Sequence, residues 1–143
     1  MNNQIKVELA VIPENVCLAR IIVTGFLAPF DPTVDEVSDI KTAVSEAVTN
    51  AIIHGYDGCD GVVEMRLTAN EREITIEISD KGIGIENPDA AREPMFTTKP
   101  DLERSGLGFT VMESFMDSVE IKSTLGAGTT VILSKTLAEG RDL

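Results

Sequence analysis

The chain of 143 residues is poor in aromatic side chains and in basic charge, and each shortage excludes a class of function. It has no tryptophan, one tyrosine and five phenylalanines, which is little material for a platform on which nucleobases stack. Its 12 Lys and Arg residues stand against 24 Asp and Glu, a formal net charge of −12. Proteins that track nucleic-acid phosphates or anionic membrane surfaces need a basic face instead. We therefore expect neither nucleic acid nor a membrane among its partners.

Cysteine and histidine are scarce as well. Cys17 and Cys59 lie far apart and His54 is the single histidine, so no group of residues has the spacing of a zinc site. We interpret Cys17 as a core residue of an apolar helix and Cys59 as a loop residue. A disulfide between the two is the alternative interpretation. The N-terminus has no leader pattern, and no apolar run reaches the roughly 18–20 residues of a membrane span. We expect a cytoplasmic protein.

The apolar residues that are present follow the periods of strands and helices. A period of two predicts strands at about 5–11, 63–67, 74–78, 119–123 and 130–134. A period of three to four predicts helices at about 15–28, 33–55 and 106–116. We expect Glu14-Asn15 to cap the first helix and the tail from Lys135 onward to be solvated. No repeat or linker interrupts the pattern, which predicts a single α/β domain over residues 1–143.

Nine of the eleven glycines fall in four groups, at 55/58/61, 82/84, 106/108 and 126/128. Any one group is most simply a turn. Glycine also lets backbone N–H groups approach a ligand closely, as phosphate cradles require. Four such groups between apolar elements, two of them next to a helix start or a strand end, therefore favour a nucleotide site.

The second predicted helix has an unusual polar face. From Thr42 to Tyr56 its only formal charge is Glu46, with Asn50 one turn later and His54 one turn after that. A solvated helix face normally carries several charges, so both faces of this helix are expected to be covered, one of them by a ligand or a second layer. Glu46 then fits a general base and Asn50 a Mg²⁺ ligand, the alternative being a lone glutamate at the rim of a helix.

Two further features are open to two interpretations each. Asp80, directly after a strand and before Gly82 and Gly84, can accept a hydrogen bond from an exocyclic amine such as that of adenine, or can simply cap a turn. Arg20 is the only charge in the apolar first helix. Either that helix is buried on both sides and Arg20 snorkels to solvent, or it presents a face shared with another chain, as arginine often does at interfaces.

Together these residues resemble the ATP-binding boxes of the GHKL superfamily. The boxes are Glu46-x-x-x-Asn50-Ala51-x-x-His54, Asp80-x-Gly82-x-Gly84, Gly106-Leu107-Gly108 and Gly126-x-Gly128-Thr129, in the family's order and spacing. The small size of the chain is similar to that of the anti-sigma-factor serine kinases within the superfamily. The resemblance implies a Bergerat-type fold, an α+β two-layer sandwich with a mixed, mainly antiparallel sheet and helices on one face. It also implies a flexible ATP lid at about residues 86–105.

The resemblance further implies roles for individual residues, with ATP or ADP and Mg²⁺ as cofactors. Asp80 would bind the adenine amino group, Asn50 would hold Mg²⁺, and Glu46 would take the proton from the attacking hydroxyl. The other nucleotide-binding positions implied are Gly82, Gly84, Thr97, Thr98, Lys99, Arg104, Ser105, Gly106, Gly108 and Thr130. Arg20 would bind a partner protein, while the role of His54 stays undecided.

The function implied is that of a protein serine kinase that is also an anti-sigma factor in sporulation. It would bind and inhibit a sigma factor, phosphorylate a serine of an anti-anti-sigma protein and form a homodimer. Two alternatives use the same pocket. One is an ATPase or detached histidine-kinase-like catalytic domain with water or histidine as acceptor. The other is a non-catalytic module that sequesters a transcription factor and uses nucleotide only to set its own conformation.

Overall fold

The computed structural model describes residues 1–55, 61–81, 105–124 and 127–139. The strands in these ranges are β1 (Asn2–Ala10), β2 (Val62–Asn70), β3 (Glu73–Asp80), β4 (Ser118–Thr124) and β5 (Gly128–Thr136). The α-helices are α1 (Glu14–Leu27), α2 (Val34–Asn50) and α3 (Ser105–Phe115). A short 3-10 helix, Ala28–Phe30, follows α1, and a π-helical turn, Ala51–Gly55, follows α2. None of the helices described is long and apolar enough to cross a membrane.

The five strands form one sheet in the order β1-β2-β3-β5-β4. All four ladders between described strands are antiparallel, so the mixed sheet that the resemblance implied is not found in this part of the chain. The α+β class itself is confirmed. Hairpin connections join β2 to β3 and β4 to β5, and such local connections pair neighbours antiparallel.

One face of the sheet is apolar and covered, because side chains alternate between the faces of each strand. A row of paired residues, Leu67, Ile76 and Leu133, crosses the middle of the sheet with no exposed surface. The other face carries half-buried polar residues such as Arg66 and Glu77, which are opposite each other in the ladder. Helix α2 packs against β3 and β5 and lies between α1 and α3, so the helices form a second layer on the apolar face.

Helix α2 begins with a capping box at Thr33 and Glu36. The Thr33 amide donates to Glu36 Oε1 at 2.8 Å, and the Glu36 amide donates to Thr33 Oγ1 at 3.0 Å. The amide of Ala138 donates to the second carboxylate oxygen of Glu36 at 2.7 Å. Partial burial, the largest single influence, would raise the Glu36 pKa, but these donors and the charge of Arg72 together lower it below 4.5. The ionised Glu36 carboxylate therefore stabilises the fold fully at pH values above the pKa that it has in the unfolded chain. This stabilisation is lost as the pH falls through the lowered pKa of the folded state.

Three local predictions from the sequence are wrong. Pro13 occupies the N-cap of α1 and makes no side-chain hydrogen bond, while the side-chain Nδ2 of Asn15 donates to the Ala10 carbonyl oxygen at 2.8 Å. Cys17 is exposed, because it lies on the outer face of α1 and not in the core. The tail is not solvated from Lys135: β5 runs to Thr136, and Leu137 is 3% exposed because it closes the end of the core.

Candidate nucleotide site

Asp80 and Thr129 are the two buried polar residues of the described core, at 7% and 8% exposure. They are directly opposite each other in the β3–β5 ladder, on the helix-covered face, and Ser123 of β4 is the next residue in the same row. The Ser123 and Thr129 hydroxyls are hydrogen-bonded to each other at 2.8 Å, and Ser123 also donates to the Gly128 carbonyl at 3.0 Å. A carboxylate and two ordered hydroxyls thus lie at one end of an otherwise apolar face.

Thr130, one of the nucleotide-binding positions that the resemblance implied, lies on the opposite face of the sheet from Asp80. Its register partner is Ser79, not Asp80, and the two hydroxyls are hydrogen-bonded to each other at 2.9 Å. The structure therefore does not bring Thr130 to the Asp80 side. Sequence reasoning missed Thr129, although the alternation of buried Val131 and Leu133 in β5 already places it on the covered face.

Gly128 explains how the start of β5 comes so close to the end of β3. Its φ of +106° is open to glycine and rarely to other residues. A Cβ at this position would collide with the Asp80 carbonyl oxygen and would lie 2.7 Å from the Lys81 Cα. Gly128 and Asp80 therefore approach each other through their backbones.

Glu46 and Asn50 lie one turn apart on α2, and both are half-buried. From Asp39 to Asn50 every residue of this helix is buried or half-buried, with Ala43 and Ala47 fully covered. Within the part of the chain that the structure describes, the Asn50 side-chain nitrogen is buried and has no hydrogen-bond partner. A buried donor without an acceptor costs about 1–3 kcal/mol. This group therefore suits a ligand that supplies oxygen atoms.

The register of α2 over the sheet brings Asn50 to the Asp80 end. Near its start, Asp39 lies beside Lys135, the last covered residue of β5, with 4.0 Å between Oδ2 and Nζ. Eleven residues of helix span about 16 Å. The six residues of strand from Lys135 back to Thr129 span about 20 Å. The π-helical turn that follows α2 contacts β3 and β5, so the helix runs along β5 towards Thr129.

The turns that flank this end also have unusual backbone features. The α-helical hydrogen bonding of α2 changes directly after Asn50 to a π-helical turn that includes His54, and π-turns are often found at functional sites. Ser105, Gly106 and Gly108 form the first turn of α3, where backbone N–H groups are not used within the helix. No sequence signal predicted the π-turn.

The remaining predicted site residues lie outside the described ranges. They are Gly82, Gly84, Thr97, Thr98, Lys99 and Arg104, and Cys59 lies outside as well. The described half of the candidate site therefore consists of Glu46 and Asn50 on α2, Asp80 and Thr129 on the sheet, and the first turn of α3.

Arg20 lies on a separate, exposed surface. It is solvent-accessible on α1, where Leu18 and Ile21 are 43% and 63% exposed, so α1 is not buried on both sides. Only one stripe of this helix, which includes Val23 and Leu27, belongs to the core. The outer face of α1 therefore exposes apolar side chains around one positive charge, and a face shared with another chain stays a prediction.

Comparisons with known proteins agree with this geometry. Residues 9–135 match the family model described as the histidine kinase-like ATPase domain. The chain resembles the crystal structure of the RsbU and RsbW domains of a Mycobacterium tuberculosis protein, with a TM-score of 0.69, 20% identity, and coverage of 94% of this chain and 32% of that one. It also resembles the histidine kinase domain of a blue-light-activated kinase from Erythrobacter litoralis, with a TM-score of 0.56, 18% identity, and coverage of 85% and 60%. These two likenesses concern the fold.

The class of protein follows from that match and from the site: the chain has a nucleotide-binding, histidine kinase-like ATPase domain. Curated relatives narrow the class further. The chain is 53% identical to the anti-sigma F factor of Clostridium beijerinckii over 135 residues, 94% of both chains. It is 50% identical to that of Bacillus velezensis over 144 residues, 100% of this chain and 99% of the relative. The chain belongs to the family of anti-sigma F factors.

Proposed function

We propose that this protein is an ATP-dependent protein serine kinase and an anti-sigma factor. It binds and inhibits a sporulation sigma factor and phosphorylates a serine of an anti-anti-sigma partner, which places its activity in the cytoplasm. The observation that carries the nucleotide chemistry is the amide nitrogen of Asn50, one turn from Glu46, which is buried and has no hydrogen-bond partner among the described residues. Membership of the anti-sigma F factor family supports the choice of partner.

The residues present fit Mg·ATP. An amide at Asn50 offers its oxygen to the ion and its N–H to a phosphate oxygen, and Mg²⁺ in kinases takes few protein ligands and several phosphate oxygens. Bound Mg²⁺ supplies charge neutralisation on the phosphates. Asp80 accepts from the adenine amino group, and the Thr129 hydroxyl, directly opposite it in the ladder, replaces Thr130 as the polar partner on that side.

The other roles belong to the acceptor and to the phosphates. Glu46 takes the proton of the serine hydroxyl as the hydroxyl oxygen attacks the γ-phosphorus. The rest of the site holds the serine and the nucleotide in position for this transfer. The first turn of α3 donates backbone N–H groups to the phosphates. From the resemblance we infer a lid at about residues 86–105 that closes over them with Thr97, Thr98, Lys99 and Arg104, next to Ser105. Gly82 and Gly84 would shape the adenine pocket beside Asp80.

We expect Asn50→Ala to weaken the binding of Mg·ADP by about ten- to a hundredfold, because bonds to charged groups contribute about 1.5–3 kcal/mol. Titration of a fluorescent ADP analogue with Mg²⁺ and with EDTA measures this. EDTA should weaken binding by the wild type and leave the variant nearly unchanged. Ser45→Ala is the matched control, since the Ser45 hydroxyl already donates to the Lys41 carbonyl within α2. A variant whose affinity still responds to Mg²⁺ as the wild type does would contradict this role.

The exposed face of α1 is the proposed docking surface for the sigma factor. Leu18 and Ile21 supply apolar area, and Arg20 supplies a charge that an acidic residue of the partner can pair. We expect Arg20→Glu to weaken sigma-factor binding by at least about thirtyfold, as charge reversal at an interface centre does. Surface plasmon resonance with the purified sigma factor measures it, with Arg66→Glu on the open sheet face as control. Equal affinity for the Arg20 variant and the wild type would remove Arg20 from this interface.

The proposed homodimer has a suitable surface at the free edge of the sheet. In the described part of the chain, no strand pairs with the outer edge of β1. Two copies of β1 that pair antiparallel about Val7 place Lys6 opposite Glu8 of the second copy, twice, and Ile5 opposite Leu9. Within one chain Lys6 is opposite Arg66 and lies 3.5 Å from the Glu64 carboxylate, and Glu8 is opposite Glu64, so the pairing adds a directly opposite unlike charge to each. This register is self-complementary.

Charge reversals at the edge of β1 test that register. We expect Lys6→Glu or Glu8→Lys alone to weaken dimerisation by about tenfold, because each places like charges opposite each other twice. The double variant should regain the wild-type association, and a mixture of the two single variants should form heterodimers. Sedimentation equilibrium measures all three. A dimer that tolerates both single reversals would contradict pairing through β1.

Two other functions use the same pocket. An ATPase would turn over ATP in the absence of the partner, and a detached histidine-kinase-like domain would place phosphate on histidine. A non-catalytic module would sequester the sigma factor in a nucleotide-dependent manner and transfer no phosphate. The half-buried Glu46 beside Asn50 favours the kinase, since a sequestering module has no use for a base at this position.

A further inference from the structure

Two charged residues stand on the helix-covered face of the described strands, and they stand at opposite ends of it. Asp80 ends β3, and Lys135 lies near the end of β5, opposite Ile74 in the ladder. The proposed function accounts for Asp80. It leaves Lys135 unexplained, although the side chain is only 16% exposed and long charged side chains are rarely buried without a reason.

Lys135 joins three elements at the end of the domain opposite to the nucleotide site. Its Nζ donates to the carbonyl oxygen of Phe115, the last residue of α3, at 2.8 Å. The same nitrogen lies 4.0 Å from the Asp39 carboxylate on α2. The C-terminus of a helix carries unpaired carbonyl groups and partial negative charge, so an ammonium group here is well placed. We call Asp39, Phe115 and Lys135 the distal clamp.

The distal clamp is the far end of the same two helices that form the site. Helix α2 runs from the clamp to Asn50, while α3 runs from its first turn at Ser105, Gly106 and Gly108 back to the clamp. The two helices pack side by side along this length. The segment after α3 is fastened as well: the Asp117 amide donates to the Ser134 carbonyl at 2.9 Å, and its carboxylate accepts from the Thr136 amide at 2.7 Å.

We propose that Lys135 is a positioning residue of the nucleotide site. By holding the C-terminal end of α3 against β5 and α2, it fixes the position of the helix along its axis. The N–H groups of the first turn of α3 then remain at a constant distance from Asn50 and Asp80. The inference rests on the proposed nucleotide site. It adds a residue at the opposite end of the domain, which acts on the site through the rigid helix α3.

The test compares ADP affinity among variants at a temperature well below the melting temperature of each. We expect Lys135→Met to weaken Mg·ADP binding by roughly three- to tenfold, because the side chain keeps its length and loses its donor. Lys135→Arg should restore most of the affinity, since a guanidinium group also donates to the carbonyl oxygen. Asp39→Asn should also weaken Mg·ADP binding, by a smaller factor. If Lys135→Met does not fold, Asp39→Asn takes its place in the test.

Lys122→Met is the control, because Lys122 is an exposed lysine of β4. A purely structural Lys135 would lower the melting temperature of Lys135→Met and leave its ADP affinity within about twofold of the wild type, which would overturn the proposal. If wild type and Lys122→Met themselves fail to bind ADP, the nucleotide site is wrong and not only the clamp. Weaker ADP binding by Lys135→Met, restored by Lys135→Arg, supports the proposal.

Discussion

Glu46→Gln should lower the rate of phosphate transfer to the partner serine by roughly a hundred- to ten-thousandfold, the contribution of a positioned general base. Glutamine keeps the size of the side chain and its place one turn before Asn50, but it cannot take the proton of the attacking hydroxyl. ADP affinity should stay near that of the wild type, because the base contacts the acceptor and not the nucleotide. Single-turnover transfer from labelled ATP, together with ADP titration, measures both quantities.

A matched change on the same helix separates chemistry from stability. Ser45→Ala lies one residue away and removes a hydroxyl that serves only its own helix. It should transfer phosphate at the wild-type rate. Transfer at the full rate by Glu46→Gln would exclude Glu46 as the base, and a parallel loss of ADP binding would show that the side chain acts in nucleotide binding instead.

Gly128→Ala should destabilise the fold by about 2–4 kcal/mol, the largest stability effect we expect from a single methyl group. The residue has φ +106°, and an added Cβ meets the backbone of Asp80 and Lys81, which cannot move aside as a side chain would. The strain lies beside Asp80, so nucleotide affinity should fall together with stability. Urea unfolding followed by circular dichroism measures the free energy of unfolding.

Gly25→Ala is the control with the opposite sign. Gly25 is exposed in α1, and an added Cβ has no atom within 4 Å. Alanine in a helix is more favourable than glycine by about 0.8–1.0 kcal/mol, so this variant should be more stable than the wild type. A Gly128→Ala protein as stable as the wild type would mean that Gly128 does not have the close backbone contact described above.

Local periodicity was enough to predict most elements of the fold. The alternating apolar residues of β2 and β3 and the three-to-four spacing of α2 determine which side of each element is buried, and hence one covered face. Sequence reasoning failed where tertiary contacts decide. Cys17 looks like a core residue within an apolar helix, yet only one stripe of α1 meets the core. Leu137 follows a polar strand end, yet it closes the core.

The candidate site was predictable where its residues share one element. Glu46 and Asn50 are one turn apart, so helical spacing alone places them together. The alternation of Val131 and Leu133 also places Thr129, and not Thr130, on the covered face, but only the register of β5 against β3 shows that Thr129 lies directly opposite Asp80. The distal clamp was not predictable, because Asp39, Phe115 and Lys135 come from three separate elements and Phe115 contributes only a backbone oxygen.

Incubation of the wild-type protein with γ-labelled ATP, Mg²⁺ and its purified anti-anti-sigma partner tests the central claim most directly. Phosphoamino-acid analysis of the partner should show label on serine, and omission of Mg²⁺ should abolish it. Label on histidine, or release of free phosphate without a labelled partner, would contradict a serine kinase. ATP binding with no transfer at all would leave sequestration of the sigma factor as the function and exclude the catalytic role of Glu46.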